Sequence, residues 1–169
     1  MSKPRILIAG IGNIFLGDDG FGSEVARQLM RREWPAAVRV EDVGIRGFDL
    51  AFALLDAPEL TILIDAVPRG SQPGTLYKIE PELDEMDQGM TIETHGMNPM
   101  KVLAMVKSMG GKLNRIFLIA CEPQTLGGEE GQMGLSPPVQ LAISEAVRMI
   151  EELVATELAS KAAAAVVSN

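Results

Sequence analysis

The 169-residue chain has little of the chemistry that most catalytic and metal-binding sites use, with one cysteine, Cys121, and one histidine, His95. A single cysteine excludes an internal disulfide and a cysteine-based zinc site. A single histidine excludes a metal site with two histidines from this chain. It also means that a Ser-His or Cys-His nucleophilic pair would need the same imidazole as any metal site, so covalent catalysis is not expected.

Basic residues are outnumbered, 15 against 23 acidic ones, which gives a net charge of −8. Because such a surface repels phosphate backbones and anionic lipids, we expect neither a nucleic-acid partner nor a membrane. A protein or peptide with a basic segment would be attracted. No apolar run approaches the roughly 20 residues of a membrane span, and the N-terminal segment has no leader cleavage site. These features predict a cytoplasmic protein.

Apolar residues make up 47% of the chain, which also has 17 glycines, a composition typical of an α/β protein with tight turns. Continuous apolar runs predict buried strands, and alternating runs predict strands with one wetter face. The buried runs span 5–10, 60–67 and 115–121, and the alternating runs span 38–43, nearer an edge, and 74–80, whose pairing stays open.

Apolar residues at helical spacing predict helices over 21–32 and 48–55, one from Asn98 to the Gly110-Gly111 stop, and one that Ser136-Pro137 opens. The acidic stretch 82–88 predicts a loop or a single helical turn. Strands alternating with helices predict one α/β domain over 1–157, a doubly wound, mostly parallel sheet of about five strands with helices on both faces. Residues 158–169 form an Ala-rich tail, a helical extension or a disordered end.

Three residues are predicted to meet where ligands bind in such sheets, beyond the carboxyl ends of the strands. Asp19 follows the first strand, Asp65 ends the third, and His95 precedes a helix. Each alone is better explained as a cap, turn or loop residue. Together they form an O,O,N ligand set that suits zinc, nickel or iron and leaves coordination positions open. Such a small set suits a metal already held by another molecule.

A nucleotide site is disfavoured. The sequence GIGNIF is superficially similar to the dinucleotide fingerprint, but Phe15 stands at the position of the third glycine. The lysine of a phosphate-binding loop is also missing.

Four motifs in order resemble those of the hydrogenase maturation proteases: GIGNIFLGDDGFG from Gly10, ILIDAV from Ile62, THGMNP from Thr94 and GLSPPV from Gly134. The resemblance covers nearly the whole domain. It implies a doubly wound fold and removal of a C-terminal peptide from the large-subunit precursor of a nickel-iron hydrogenase after nickel insertion. It also implies that Asp19, Asp65 and His95 contact nickel presented by that substrate, in a site that would also accept zinc or cadmium.

This chain departs from one motif of the family. Many members have Asp-Gly-Gly-Thr after the second strand, whereas here Asp42 is followed by Val43, Gly44, Ile45 and Arg46. We expect Asp42, Gly44 and Arg46 to contact the substrate.

The resemblance leaves the mechanism open, with Asp19 and Asp65 as the catalytic candidates. Water would attack the peptide carbonyl, activated either by the metal or by a carboxylate as general base. The role of Asp18 stays open, and Cys121 is predicted to be a buried thiol. The alternative functions are a nickel-checking chaperone that binds the precursor without cutting it and, third, a nucleotide or nucleoside enzyme.

Overall fold

The computed structural model describes residues 3–83 and 97–167. His95, the predicted third metal ligand, lies outside these residues, and so does most of the acidic stretch 82–88. Within the described part of the chain, no helix is both long and apolar enough to cross a bilayer.

A five-stranded sheet forms the centre of the fold, in the order β2-β1-β3-β5-β4. Its strands are β1 (Ile6–Ile11), β2 (Val38–Gly44), β3 (Leu60–Ala66), β4 (Leu76–Ile79) and β5 (Arg115–Cys121). The first three and β5 are parallel, and β4 pairs antiparallel with β5 at one edge. The predicted doubly wound sheet is therefore confirmed, with β2 at the opposite edge and β3 in the centre.

Four helices connect and cover the strands: α1 (Phe21–Met30), α2 (Gly47–Leu55), α3 (Pro99–Ser108) and α4 (Pro137–Val167). The side chain of Asn98 accepts a hydrogen bond from the backbone N–H of Met100 (2.9 Å), which confirms the predicted cap of α3. Helix α1 ends two residues earlier than predicted, because the indole of Trp34 donates to the Leu29 carbonyl (2.8 Å) and satisfies its last turn.

Two hydrophobic cores lie on opposite faces of the sheet. One core packs α1 and α4 against side chains such as Ile62, Ile64 and Ile119, and the other packs α2 and α3 against Leu7 and Leu63. Both cores are largely aliphatic, and only 4% of the residues in the chain are aromatic. Helix α4 continues to Val167, well beyond the sheet, and its last turns are exposed.

The start of α1 approaches the carboxyl ends of β1 and β3 so closely that only glycine fits there. A Cβ atom on Gly22 would lie 2.2 Å from the carbonyl oxygens of both Ile11 and Ile64. Because those oxygens belong to the backbone, neither can move aside. This contact holds the loop before α1 over the ends of the two central strands.

Replacing Gly22 with alanine should destabilise the protein by on the order of 3 kcal/mol, a fall of about 9 °C in Tm, because the methyl group would collide with two strands. Gly47→Ala is the matched control, since its Cβ would meet only the side chains of Met97 and Val102 at 3.3 and 3.4 Å. Thermal unfolding of both variants checks this expectation, and equal Tm values would contradict it.

Candidate functional site

The candidate site lies at the switch point of the sheet, where the chain leaves β1 toward β2 on one side and returns to β3 on the other. Open α/β sheets bind ligands in the crevice at such a point. Here the crevice is bordered by the loop between β1 and α1 and by the carboxyl end of β3. These two segments carry Asp19 and Asp65.

Asp19 is positioned by the loop that follows β1. Residues Gly17–Gly20 form a 3₁₀ turn directly before α1, and the Asp19 carboxylate accepts a hydrogen bond from the backbone N–H of Asn13 (2.9 Å). Gly12 has φ +135°, and a Cβ there would lie 1.8 Å from the Asp19 carbonyl. The loop therefore folds back on itself and leaves the partly exposed Asp19 side chain at the crevice.

Asp65 lies at the carboxyl end of the central strand and is 5% exposed. Its Oδ1 accepts a hydrogen bond from the backbone N–H of Ala66 (2.9 Å), and no other donor among the described residues reaches the carboxylate. A buried carboxylate with one backbone partner is poorly compensated for the loss of water.

Asp19 and Asp65 are close enough to influence each other electrostatically. Burial, followed by the negative charge of Asp19, raises the pKa of Asp65 well above its usual value of 3.8, and the Ala66 N–H opposes this only in part. Burial also raises the pKa of Asp19, against the lowering effect of the Asn13 N–H. The structure thus brings these two predicted site residues close together as a carboxylate pair.

Asp18 is fully buried and has the opposite environment. Its carboxylate accepts hydrogen bonds from the backbone N–H groups of Gln124 (2.8 Å), Thr125 (3.1 Å) and Ser136 (2.7 Å) and from the Ser136 hydroxyl (2.8 Å). Asp18 therefore ties the loop of Asp19 to the segment between β5 and α4. The sequence left its role open, although Ser136 at the start of α4 was visible as a motif.

Glu122 is a structural carboxylate at the same edge of the sheet that the sequence analysis missed. It accepts hydrogen bonds from the backbone N–H groups of Arg69 (2.8 Å) and Gly70 (3.0 Å) and from the Tyr77 hydroxyl (3.0 Å). Burial alone would raise the pKa of Glu122, but these donors lower it. The residue holds the loop after β3 in place. Its position directly after β5 was the only sequence signal.

The predicted substrate-contact residues lie at the carboxyl end of β2. Asp42 pairs with Arg27 (3.1 Å), Gly44 has φ +60°, and the Arg46 guanidinium donates to the Asp42 and Val43 carbonyls. They are separated from the carboxylate pair by β1, and their contact with a substrate stays a prediction.

Cys121 is buried, as predicted. Burial, followed by the charges of Asp18 and Glu122, raises the pKa of its thiol to about 12. A thiol that stays protonated is a poor nucleophile and a poor metal ligand.

The loop after β1 does not favour binding of a nucleotide phosphate. Helix α1 begins only at Phe21, ten residues after the end of β1, and the turn that precedes it carries Asp18 and Asp19. Negative charge at this helix start repels the phosphate that such a helix would otherwise attract.

Comparison with known proteins agrees with this geometry. A model of the hydrogenase maturation protease family matches residues 23–153. The chain belongs to this family. Hydrogenase expression/formation protein HupD from Rhodobacter capsulatus is 34% identical over 86% of the chain and 71% of its own length. Coenzyme F420 hydrogenase subunit delta from Methanothermobacter thermautotrophicus is 33% identical over 86% of the chain and 92% of its own length.

Solved structures show the same relationship. The E. coli hydrogenase maturating endopeptidase HybD superposes with a TM-score of 0.76 at 25% identity, covering 90% of this chain and 93% of its own. The hydrogenase 2 maturation peptidase from Thaumarchaeota archaeon SCGC_AB-539-E09 gives a TM-score of 0.69 at 32% identity, covering 89% and 98%. The resemblance inferred from the four motifs is therefore confirmed, and the chain is a hydrogenase maturation protease by family.

Two of the three predicted metal ligands are thus placed in this maturation protease, and the third, His95, lies outside the described residues. Among residues 3–83 and 97–167, no three acidic, histidine or cysteine side chains are grouped as a metal site. The metal-ligand assignment of Asp19, Asp65 and His95 stays a prediction.

Asp18→Asn should destabilise the protein by about 2 kcal/mol, or about 6 °C in Tm, because an amide NH₂ would face backbone donors in a buried position. Ser136→Ala, which removes one of the four donors, should cost about half as much. Asp49→Asn is the control, since this exposed carboxylate only joins a surface ion pair. Thermal unfolding that placed Asp18→Asn level with Asp49→Asn would contradict this role.

Asp65→Asn should stabilise the metal-free protein at pH 7 by about 1 kcal/mol, or about 3 °C in Tm, because the amide avoids ionisation in a buried position and can keep the Ala66 hydrogen bond. The folded-state pKa of Asp65 is raised, so the wild type loses stability relative to the variant as pH rises above the unfolded-state value near 4.

The difference in Tm between Asp65→Asn and wild type should therefore vanish below about pH 4 and grow toward neutrality. The measurement is thermal unfolding in a chelating buffer from pH 3 to 8, again with Asp49→Asn as control. A difference that did not change with pH would show that ionisation of Asp65 is not the cause.

Proposed function

We propose that this protein is the endopeptidase that removes the C-terminal extension of a nickel-iron hydrogenase large-subunit precursor after nickel insertion. It would detect the bound nickel through Asp19, Asp65 and His95. The observation that carries the proposal is the under-compensated carboxylate pair at the switch point of a maturation-protease fold. The expected compartment is the cytoplasm.

The carboxylate pair suits a divalent cation that another molecule brings. Asp18 has four donors, whereas Asp19 and Asp65 each accept one hydrogen bond from the described residues. A cation between Asp19 and Asp65 would offset both their burial and their mutual repulsion. Oxygen ligands with one imidazole accept nickel, and also zinc or cadmium as substitutes. The ion would polarise a bound carbonyl or water when present.

The same pair supports proton transfer to and from the scissile peptide. Burial favours the protonated form of Asp65, whereas Asp19 is the more exposed carboxylate and the better candidate for general base. Environments that separate the protonation states of two neighbouring carboxylates are typical of acid-base pairs. Asp19 would take a proton from the attacking water and return it to the leaving amine, while Asp65, ionised when the cation is bound, would help to hold the cation.

Incubation of the protein with nickel-loaded precursor should shorten the precursor by its extension, as intact mass measures. Asp65→Ala and His95→Ala should each reduce the rate by at least about 100-fold, because each removes a group that contacts the metal or the reacting atoms. Glu145→Ala, which removes an exposed carboxylate on α4, should leave the rate unchanged.

Precursor without nickel should not be shortened. If wild-type protein bound nickel-loaded precursor but never shortened it, the chaperone alternative would replace the protease. If Asp65→Ala and His95→Ala both processed the precursor at the wild-type rate, the site would lie elsewhere on the fold.

A further inference from the structure

The edge strand β2 has backbone groups with no partner in the sheet. Ile6 N–H donates to the Ala37 carbonyl and Gly12 N–H to the Gly44 carbonyl (both 3.0 Å), which fixes the side of β2 that faces β1. By alternation from Ala37, Arg39 and Glu41 turn their backbone groups toward β1, and a register shift after Asp42 then brings Gly44 to the same side. The alternate residues Val38, Val40 and Asp42 turn theirs outward.

Neighbouring groups already use the two ends of this outward row. Val38 N–H donates to the Pro35 carbonyl (2.9 Å), and the Arg46 guanidinium donates to the Asp42 carbonyl. The groups that remain are the Val38 carbonyl, both groups of Val40 and the Asp42 N–H, which no other described residue reaches. They match the pairing of a short added strand.

A groove of about 750 Å³ runs along this open edge. Met30 from α1 lies on one side of the sheet plane and Phe52 from α2 on the other, and they are 54% and 66% exposed. Side chains of an extended peptide point alternately to the two faces of a sheet. The groove therefore offers an apolar contact to each set of side chains of an added strand.

The net charge of the chain favours a basic occupant over a second copy of this chain. Each of the four carboxylates that line the groove forms an ion pair with an arginine or lysine side chain, but the whole chain carries a net charge of −8. Pairing two β2 edges would bring together two chains that are each strongly acidic, which costs free energy. A peptide segment that carries lysine or arginine would meet no such repulsion.

The groove also leads to the carboxylate pair. Asp42 lies beside Gly10 of β1, which in turn lies beside Ile64, the residue before Asp65. Strands lie about 4.8 Å apart, so a strand added outside β2 would lie about 14 Å from the end of β3. An extended chain covers this distance in about four residues.

We propose that the open edge of β2 binds a basic, extended segment of the precursor's C-terminal extension as a sixth strand. The segment begins about four residues beyond the scissile bond. Because it leads away from the carboxyl edge of the sheet, it runs antiparallel to β2. This proposal rests on the proposed function, and it assigns recognition of the extension to backbone pairing at a surface separate from the carboxylate pair.

Val40→Pro tests the pairing, because proline removes the outward N–H of Val40 and is tolerated at a sheet edge. Val40→Thr, which keeps both the N–H and the β-branched shape, is the matched control. In the processing assay, Val40→Pro should raise KM for the precursor at least tenfold with kcat within twofold of wild type. Val40→Thr should stay within twofold in both constants.

If circular dichroism showed that Val40→Pro does not fold, a double variant and its control would test the docking proposal instead. Met30→Glu combined with Phe52→Glu should also raise KM, whereas Leu141→Glu, at an equally exposed apolar position on α4, should not. Unchanged KM in Val40→Pro, or in the double variant, would overturn the docking proposal while leaving the protease intact.

Binding can also be measured without cleavage. A synthetic peptide of the extension should slow amide hydrogen exchange at Val40 and Asp42 of the wild-type protein, as NMR detects. Unchanged exchange at saturating peptide would overturn the proposal. If the wild-type protein shortened no precursor, the proposed function would fail, and protection at Val40 and Asp42 would still support binding of the extension.

Discussion

The buried carboxylate of Asp18 is the interaction on which the site depends. Hydrogen bonds from the segment after β5 and from the start of α4 fix the position of the loop between β1 and α1. Gly22 adds a steric constraint, since α1 can begin only where its backbone touches β1 and β3. Asp19 is thereby held over the end of β3 by residues that come more than 100 positions later in the chain.

Neighbouring aspartates in this site have opposite energetics because their partners differ. Four donors satisfy Asp18, so its burial stabilises the fold, whereas Asp65 has one backbone donor and a negative neighbour in Asp19. A protein selected for stability alone would not keep an aspartate at the Asp65 position. Protonation removes the cost of burying an ionised Asp65, and under the proposed function a bound cation would also offset it.

Local sequence patterns predicted most of the fold because each pattern reflects a local physical cause. The apolar run around Ile62 marked the central strand, Asn98-Pro99 marked the start of α3, and the charged alternation of β2 marked an edge. The pairing of β4 could not be predicted, because it depends on long-range contacts with β5 and on the bonds of Glu122 to the loop after β3.

The candidate site could be predicted from the sequence only in part. The position of Asp65 at a strand end was visible in the sequence, but the contrast between Asp18 and Asp19 was not. Adjacent residues of the same type are distinguished only by the direction that the 3₁₀ turn gives each side chain. That direction is set by tertiary hydrogen bonds, which cannot be predicted from the spacing of residues in the sequence.

The two proposals assign chemistry and recognition to two different boundaries of the sheet. The carboxyl ends of β1 and β3 border the crevice that holds the carboxylates of Asp19 and Asp65. The free edge of β2 offers backbone groups and apolar contacts, which discriminate little between different side chains. Backbone pairing tolerates varied sequences, so it can hold an extension loosely and in register. Under the proposed function, selectivity would come from the crevice, where a cation brought by the substrate would relieve the repulsion between Asp19 and Asp65. Such a division would let the protein bind precursors before it can cut them.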